Sequence, residues 1–307
     1  MTVSFSVVIA VHNGEPTLKR AIDSVLSQTR PPHEVIVVDD GSTDASAEIA
    51  TGYGAPVRVL RQENRGVSAA RNAGVAAASG DWIAFLDADD YYYPERLALA
   101  AEAIERFPEA DFVTGDFDYR DESGRLLRRS LESNALGRRL LAQGAGDFRL
   151  MEAADFGNFI EDHFGDTHTL TLPRRTFLRL GGYPSDFAVC EDVHFLIRLC
   201  LASRRAAVVA KPVAAYVIHP HSATRRDPLR AQRQTVAAWR SLKPLLASAP
   251  APLRAGYRRG LARARYDLAV ALLRRGARGE ALKAVLPLLY EAPSLSSVKR
   301  ILSVVKG

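Results

Sequence analysis

The sequence predicts an α/β fold, a mixed and mostly parallel sheet flanked by helices, with an all-α region at the C-terminal end. Three observations carry this. Short apolar runs rich in β-branched residues, such as Phe5 to Val11 and Glu34 to Val38, stop at polar, mostly acidic, clusters. Segments of helical spacing separate those runs, and strand alternating with helix builds parallel sheets. From Asp227 onward, every periodic segment is helical and rich in Ala, Leu and Arg.

The elements follow in order. Phe5 to Val11 (FSVVIAV) reads as a strand buried on both faces, because it is apolar without alternation. Thr17 to Gln28 places Leu18, Ile22, Val25 and Leu26 on one helical face, and Pro31-Pro32 stops it. Glu34 to Val38 is a second strand, with Thr43 or Asp44 placed to cap the next helix. Val57 to Leu60 is a third strand, Ser68 to Ser79 an Ala-rich helix, and Trp82 to Leu86 a fourth strand closed by Asp87-Ala88-Asp89-Asp90. Pro94 opens a helix through Phe107. Asp111 to Tyr119 is a strand. Residues 125–165 read as a loop with short helices. Thr169 to Leu172, a helix over Glu191 to Ser203, and strands over Ala206 to Val209 and Val213 to Ile218 complete the body. Breaks at Pro250 to Pro252, Gly276 to Gly279 and Pro293 divide the helical tail. The expected division is a body over 1–224 and a basic helical region over 225–307.

Charge sharpens that division. Residues 1–224 carry 23 Lys and Arg against 31 Asp and Glu; residues 225–307 carry 18 against 4. An acidic body with a basic tail points the tail at an anionic surface. No window of eighteen apolar residues marks a transmembrane helix. The N-terminus lacks a basic leader, so the expected compartment is the cytoplasm. Cys190 and Cys200 make neither a disulfide framework nor a zinc site. His163, His168 and His194 read as structural.

In an open α/β sheet, ligands bind beyond the carboxyl ends of the strands. Asn13, Asp39-Asp40 and Asp87-Ala88-Asp89 all fall there. Converging carboxylates repel unless a cation joins them, and hard oxygens suit Mn²⁺ or Mg²⁺. Such an ion clamps a diphosphate and absorbs its charge as it leaves. Of the adjacent pair, Asp39 reads as the capping residue and Asp40 as the ligand contact.

These residues carry a resemblance. The segments SVVIAVHNGEPTLKRAIDSVLSQTRPPHEVIVVDDGSTD, NRGVSAARNAG and GDWIAFLDADDYYYPERL resemble the donor-binding half of family 2 glycosyltransferases in order and spacing. The likeness covers Ser6 to Leu97 and continues more weakly to about Ser222. It implies a GT-A (Rossmann-like) fold, with 1–97 the nucleotide-sugar half and 98–224 the acceptor half. It also implies that Ala10, His12, Asn13, Asp40, Arg71 and Asp87 border the donor, with Asp40 on the nucleobase. Asp87 and Asp89 match the family's Asp-x-Asp motif at the metal-bound diphosphate. His12 departs from the tyrosine common at its position, which leaves the identity of the base less defined.

Glu191-Asp192 resembles the family's Glu-Asp segment near the acceptor. A sugar hydroxyl is a poor nucleophile at neutral pH, so a carboxylate must take its proton. Asp192 matches that base, and Glu191 an acceptor-side group. His219, after the last strand, matches a histidine that reaches the metal in some relatives; His221 is the competing choice.

The implied activity is an inverting glycosyl transfer from a nucleotide-sugar, a UDP-sugar first, to a saccharide or lipid-linked saccharide acceptor in bacterial cell-surface polysaccharide or glycoconjugate synthesis. Two other classes stay open. A nucleotidyltransferase would show a Gly-rich basic loop near the first strand, where only Gly14 stands. A non-catalytic binding protein on the same fold would not need its acids intact. No nucleic-acid partner is expected, and a homodimer stays open. In the tail, Leu261, Leu268 and Leu272 with Arg258, Arg265 and Arg275 fit two arrangements: helices that cover the sheet or pair with a second subunit, or peripheral contact with the inner membrane face.

Overall fold

The structure is a computed structural model and describes residues 3–162, 166–219 and 222–306. Ten strands form one mixed sheet: β1 (Phe5–Val11), β2 (Glu34–Asp40), β3 (Val57–Gln62), β4 (Trp82–Asp87), β5 (Tyr91–Tyr92), β6 (Phe112–Asp121), β7 (Leu126–Arg129), β8 (Phe148–Glu152), β9 (Thr171–Pro173) and β10 (Arg205–Ile218). Their order is β3-β2-β1-β4-β9-β6-β10-β5, with β7 beside β6 and β8 beside β10. The strands β3, β2, β1 and β4 are parallel, as are β6 and β10; β9, β5, β7 and β8 run antiparallel to their neighbours.

Helices α1 (Glu15–Leu26), α2 (Ser46–Thr51), α3 (Val67–Ala77) and α4 (Arg96–Arg106) follow the first strands. Next come α5 (Ala135–Leu141), α6 (Phe156–Asp162), α7 (Arg174–Arg179) and α8 (Glu191–Ala202). The C-terminal region holds α9 (Ala223–Arg226), α10 (Pro228–Ser241), α11 (Lys243–Leu246), α12 (Ala251–Leu273), α13 (Arg278–Val285), α14 (Leu288–Glu291) and α15 (Leu295–Lys306).

All seven residues of β1 are buried, as the unalternating apolar run requires. Each fully buried Val or Ile contributes about 1.5–3 kcal/mol over exposure, so this strand anchors the sheet. One large apolar cluster joins β1 and β4 residues Val8 and Phe85 to Phe177 of α7 and Phe195 of α8 and to Trp239, Tyr257 and Leu268 of the helical region. Of the two arrangements open for the apolar face of α12, the packed one is found: Leu261, Leu268 and Leu272 are buried inside the protein. Arg265 is also interior, paired with Glu291 at 2.6 Å.

Close helix contact explains part of that packing. A Cβ at Gly256 would sit 1.9 Å from the Gly157 carbonyl oxygen, so α12 crosses α6 at backbone distance. No other residue allows that approach.

Two readings are corrected here. Residues 125–165 contain the strands β7 and β8 as well as short helices; β7 is exposed throughout and so lacks the apolar pattern that marks a strand. The two expected C-terminal strands are one, β10, whose register shifts on either side of Pro212. Proline removes a ladder donor, and the strand absorbs it as a bulge rather than ending.

Candidate active site

Register brings the polar strand ends level. Ala10 pairs with Val38 of β2 and with Asp87 of β4, and Val11 pairs with Asp39. The carboxyl ends of three parallel strands thus open on one edge, where ligands bind in such sheets.

The β1 end is locked to the loop after β2. Asn13 takes a left-handed φ of 53°. Its amide donates to Ser42 Oγ at 2.9 Å, and its side-chain oxygen accepts from Thr43 N at 2.8 Å. The exposed His12 ring donates from Nδ1 to the Asp40 carbonyl at 2.9 Å, with Asn64 Nδ2 3.1 Å away. Asp39 is fully buried, accepting from Ser42 N and pairing with Arg61 at 3.1 Å. Asp40 spends both oxygens on the chain: Oδ1 accepts from Gln62 Nε2 and Arg65 N, Oδ2 from Gly66 N. It therefore shapes the loop leading into α3.

That helix delivers Arg71, which is buried. Its Nη2 donates to Asp87 at 2.5 Å and its Nη1 to Glu191 at 2.8 Å. The guanidinium lies 5.2 Å from the Tyr183 ring centroid. One cation so joins the end of β4 to the start of α8. Its planar fork suits a pair of carboxylates in fixed directions. Both partners hold Arg71 firmly in its charged form against the cost of burial.

The acids after β4 part company. Asp87 faces Arg71. Asp89 is more exposed and meets His219 Nε2 at 2.7 Å. Asp90 is buried, and its Oδ1 accepts from Val217 N at 2.8 Å, tying the turn after β4 to β10, the strand that ends just before His219. Burial pushes the Asp90 carboxyl well above the usual range. Asp89 and His219 are therefore brought together, whereas Asp87 is turned to a cation. His221 lies outside the described residues, as does His163. Among the described residues no group of three or more His, Cys, Asp or Glu side chains is gathered to hold a metal ion.

At the start of α8, Cys190 takes the capping position with a left-handed φ of 72°. Asp192 is partly buried and accepts from Val193 N at 2.7 Å. Burial raises its carboxyl, with Arg71 pulling the other way. Burial and Asp192 together push Glu191 up to about 7. A small cavity beside Asp192 also holds Asp166, Thr167 and Tyr183. Asp166 is raised well above the usual range by burial and by the charge of Asp192. Asp166 and Tyr183 escaped sequence reading, because they lie in segments without periodicity or motif. His168 is buried among Phe117 and Tyr216 rings, and burial lowers it to about 3, so it stays neutral. Both cysteines are free.

Solved structures share this architecture. S. aureus TarS, residues 1–349, aligns with a TM-score of 0.69 and 20% identity, over 98% of this chain and 89% of that one. The mannosyltransferase PcManGT from Pyrobaculum calidifontis, in complex with GDP-Man and Mn²⁺, aligns with a TM-score of 0.59 and 18% identity, over 98% and 79%. The fold is thus the GT-A type. The family profile of glycosyl transferase family 2 matches residues 6–208, and the chain belongs to that family. In Bacillus subtilis (strain 168), the uncharacterized glycosyltransferase EpsJ is 40% identical over 123 residues, 39% of this chain and 35% of EpsJ. The match thus spans about a third of that relative's length.

Proposed function

We propose that the protein transfers a sugar from a UDP-sugar to an acceptor hydroxyl, with inversion at the anomeric carbon, in cell-surface polysaccharide or glycoconjugate synthesis. The observation that carries this reading is Arg71. It is buried between Asp87 at a donor strand end and Glu191 beside the acceptor-side Asp192. A fixed cation at that junction sets the distance between the two half-sites, which is what a single displacement demands. TarS 1–349 has been solved in complex with UDP-GlcNAc, which supports a uridine donor here, although PcManGT carries GDP-Man on the same fold.

In the proposed reaction, the acceptor oxygen attacks the anomeric carbon as its bond to the diphosphate breaks. The hydroxyl proton passes to Asp192, and the nucleoside diphosphate leaves. Burial raises the Asp192 carboxyl, which makes it a stronger proton acceptor than an ordinary carboxylate. Ala10, His12, Asn13 and Asp40 would border the nucleoside.

Asp87, Asp89 and His219 would hold a divalent ion. Two carboxylates and an imidazole fit Mn²⁺ better than Mg²⁺, and Asp89 and His219 already meet. The ion would offset charge on the departing diphosphate. Among the described residues no helix is long and apolar enough to cross a membrane; the basic helical region would meet an anionic surface at the inner membrane face.

Screening UDP-sugars for Mn²⁺-dependent release of UDP tests the donor. NMR coupling in the sugar product tests the stereochemistry: an inverted anomeric centre supports the reading, and retention overturns it.

A further inference from the structure

The helical region contains a cavity of about 350 Å³ where α11, α12 and α14 meet, far in sequence from the donor strand ends. Lys243, Arg254 and Arg258 line it. None of the three side chains has a hydrogen-bond or ion-pair partner among the described residues. The carboxylate at the cavity, Glu291, is already neutralised: Arg265 Nε and Nη2 donate to its two oxygens at 2.6 and 2.9 Å. The cavity therefore keeps an excess of three cations.

A second observation points to a ligand. Tyr257 lines the same cavity and is 6% exposed, yet its hydroxyl has no hydrogen-bond partner among the described residues. A buried unpaired hydroxyl costs about 1–3 kcal/mol, so a polar group that fills the cavity would recover it. Burial pushes the phenol up to about 12; at neutral pH it is a proton donor and adds no negative charge. The remaining lining is apolar, with Leu246 and Leu261 buried. Leu245, Leu289 and Tyr290, on two of the helices that wall the cavity, are half or more exposed.

We propose that this cavity binds a phosphoryl anion, with Lys243, Arg254, Arg258 and the Tyr257 hydroxyl donating to its oxygens. Three cations and one neutral donor, around a lining whose carboxylate Glu291 is already paired with Arg265, match a group with several strong acceptor oxygens and more than one charge. The same phosphoryl group could be free in solution or stand on a membrane lipid. The site deepens the reading in which the basic region meets an anionic partner, and it rests on that part of the proposed function alone.

The test measures binding of the full chain to two probes in metal-free buffer: inorganic phosphate by calorimetry, and phosphatidylcholine vesicles doped with phosphatidic acid by co-sedimentation. Plain phosphatidylcholine vesicles are the control. Binding to at least one probe is expected, and the double variant Arg254→Ala/Arg258→Ala should weaken it roughly tenfold or more. Tyr257→Phe keeps the ring and its packing on Trp239, and should weaken binding several-fold while the ligand-free Tm does not fall, because it removes an unpaired buried hydroxyl. Phosphate binding marks a soluble ligand; vesicle binding alone marks a lipid. Binding to neither probe overturns both the cavity and the anionic-partner reading. Binding that survives the double variant overturns the cavity and leaves that reading standing. Metal-dependent UDP release should be the same in the variants and wild type, which separates this outcome from failure of the sugar-transfer reading.

Discussion

The carboxyl edge of the parallel strands and the helical region both concentrate charge, and they dispose of it in opposite ways. At the strand ends, Asp39, Asp40, Asp87 and Glu191 each have cationic or amide donors, and Asp89 has His219. In the helical region, Lys243, Arg254 and Arg258 surround a cavity with no partner among the described residues. The first arrangement pre-organises a site whose ligand arrives among fixed groups; the second holds an excess of one sign. Low-dielectric surroundings make unpaired carboxylates costly, so the buried half has to be internally balanced. Solvated cations on helix surfaces carry no such cost.

Predictions follow from the contrast. Chelation should act on the strand-end site only: excess EDTA should abolish UDP release and leave folding unchanged by circular dichroism. Turnover in the presence of the chelator would remove the metal from the account.

Arg71→Met should destabilise the fold by about 3–5 kcal/mol, because it strands two carboxylates beside each other. Urea denaturation measures this. By contrast, Arg254→Ala should change stability by no more than about 0.5 kcal/mol, as surface substitutions do. Equal effects would erase the distinction drawn between the two regions.

Gly256→Ala probes the seam between them. The new methyl meets the Gly157 carbonyl, so α12 has to move off α6. The expected loss is about 1–3 kcal/mol in thermal or urea unfolding. A neutral substitution would mean that the helical region sits more loosely on the body.

The smallest effect concerns pH. Glu191 is pushed up to about 7 and Asp192 is raised, so the rate should climb with pH through neutrality, on a limb belonging to the pair. Raised carboxyls favour the protonated folded state. Their contribution to stability is present at pH 4 and is lost as pH rises through 7, opposite to the trend in rate. Glu191→Gln should shift the rate limb down by roughly one unit, as removal of a like charge does. An unmoved limb would assign it to another group.

The comparison also explains what could be read in the sequence. Strand ends converge by topology, so Asp40, Asp87 and Asp89 were legible from apolar runs that stop at acids. Arg71 and Asp192 were legible through the resemblance alone. Their joining through Glu191 was not, because residues 120 positions apart meet only in the fold. Asp166 and Tyr183 carry no periodic signal. In the tail, the alternating Leu and Arg of α12 showed a helix and did not show which face is inside. Leu261 and Arg265 are both interior, since a paired Glu291 waits for the arginine.

The central claim is that donor binding and proton removal belong to separate groups joined by Arg71. Asp192→Asn tests it in one experiment, with donor affinity by calorimetry and UDP release measured on the same sample. The account predicts unchanged affinity for the UDP-sugar with Mn²⁺, and a rate lower by about 10²–10⁴-fold. Loss of donor binding together with the rate would contradict it, placing Asp192 in the donor site rather than opposite it.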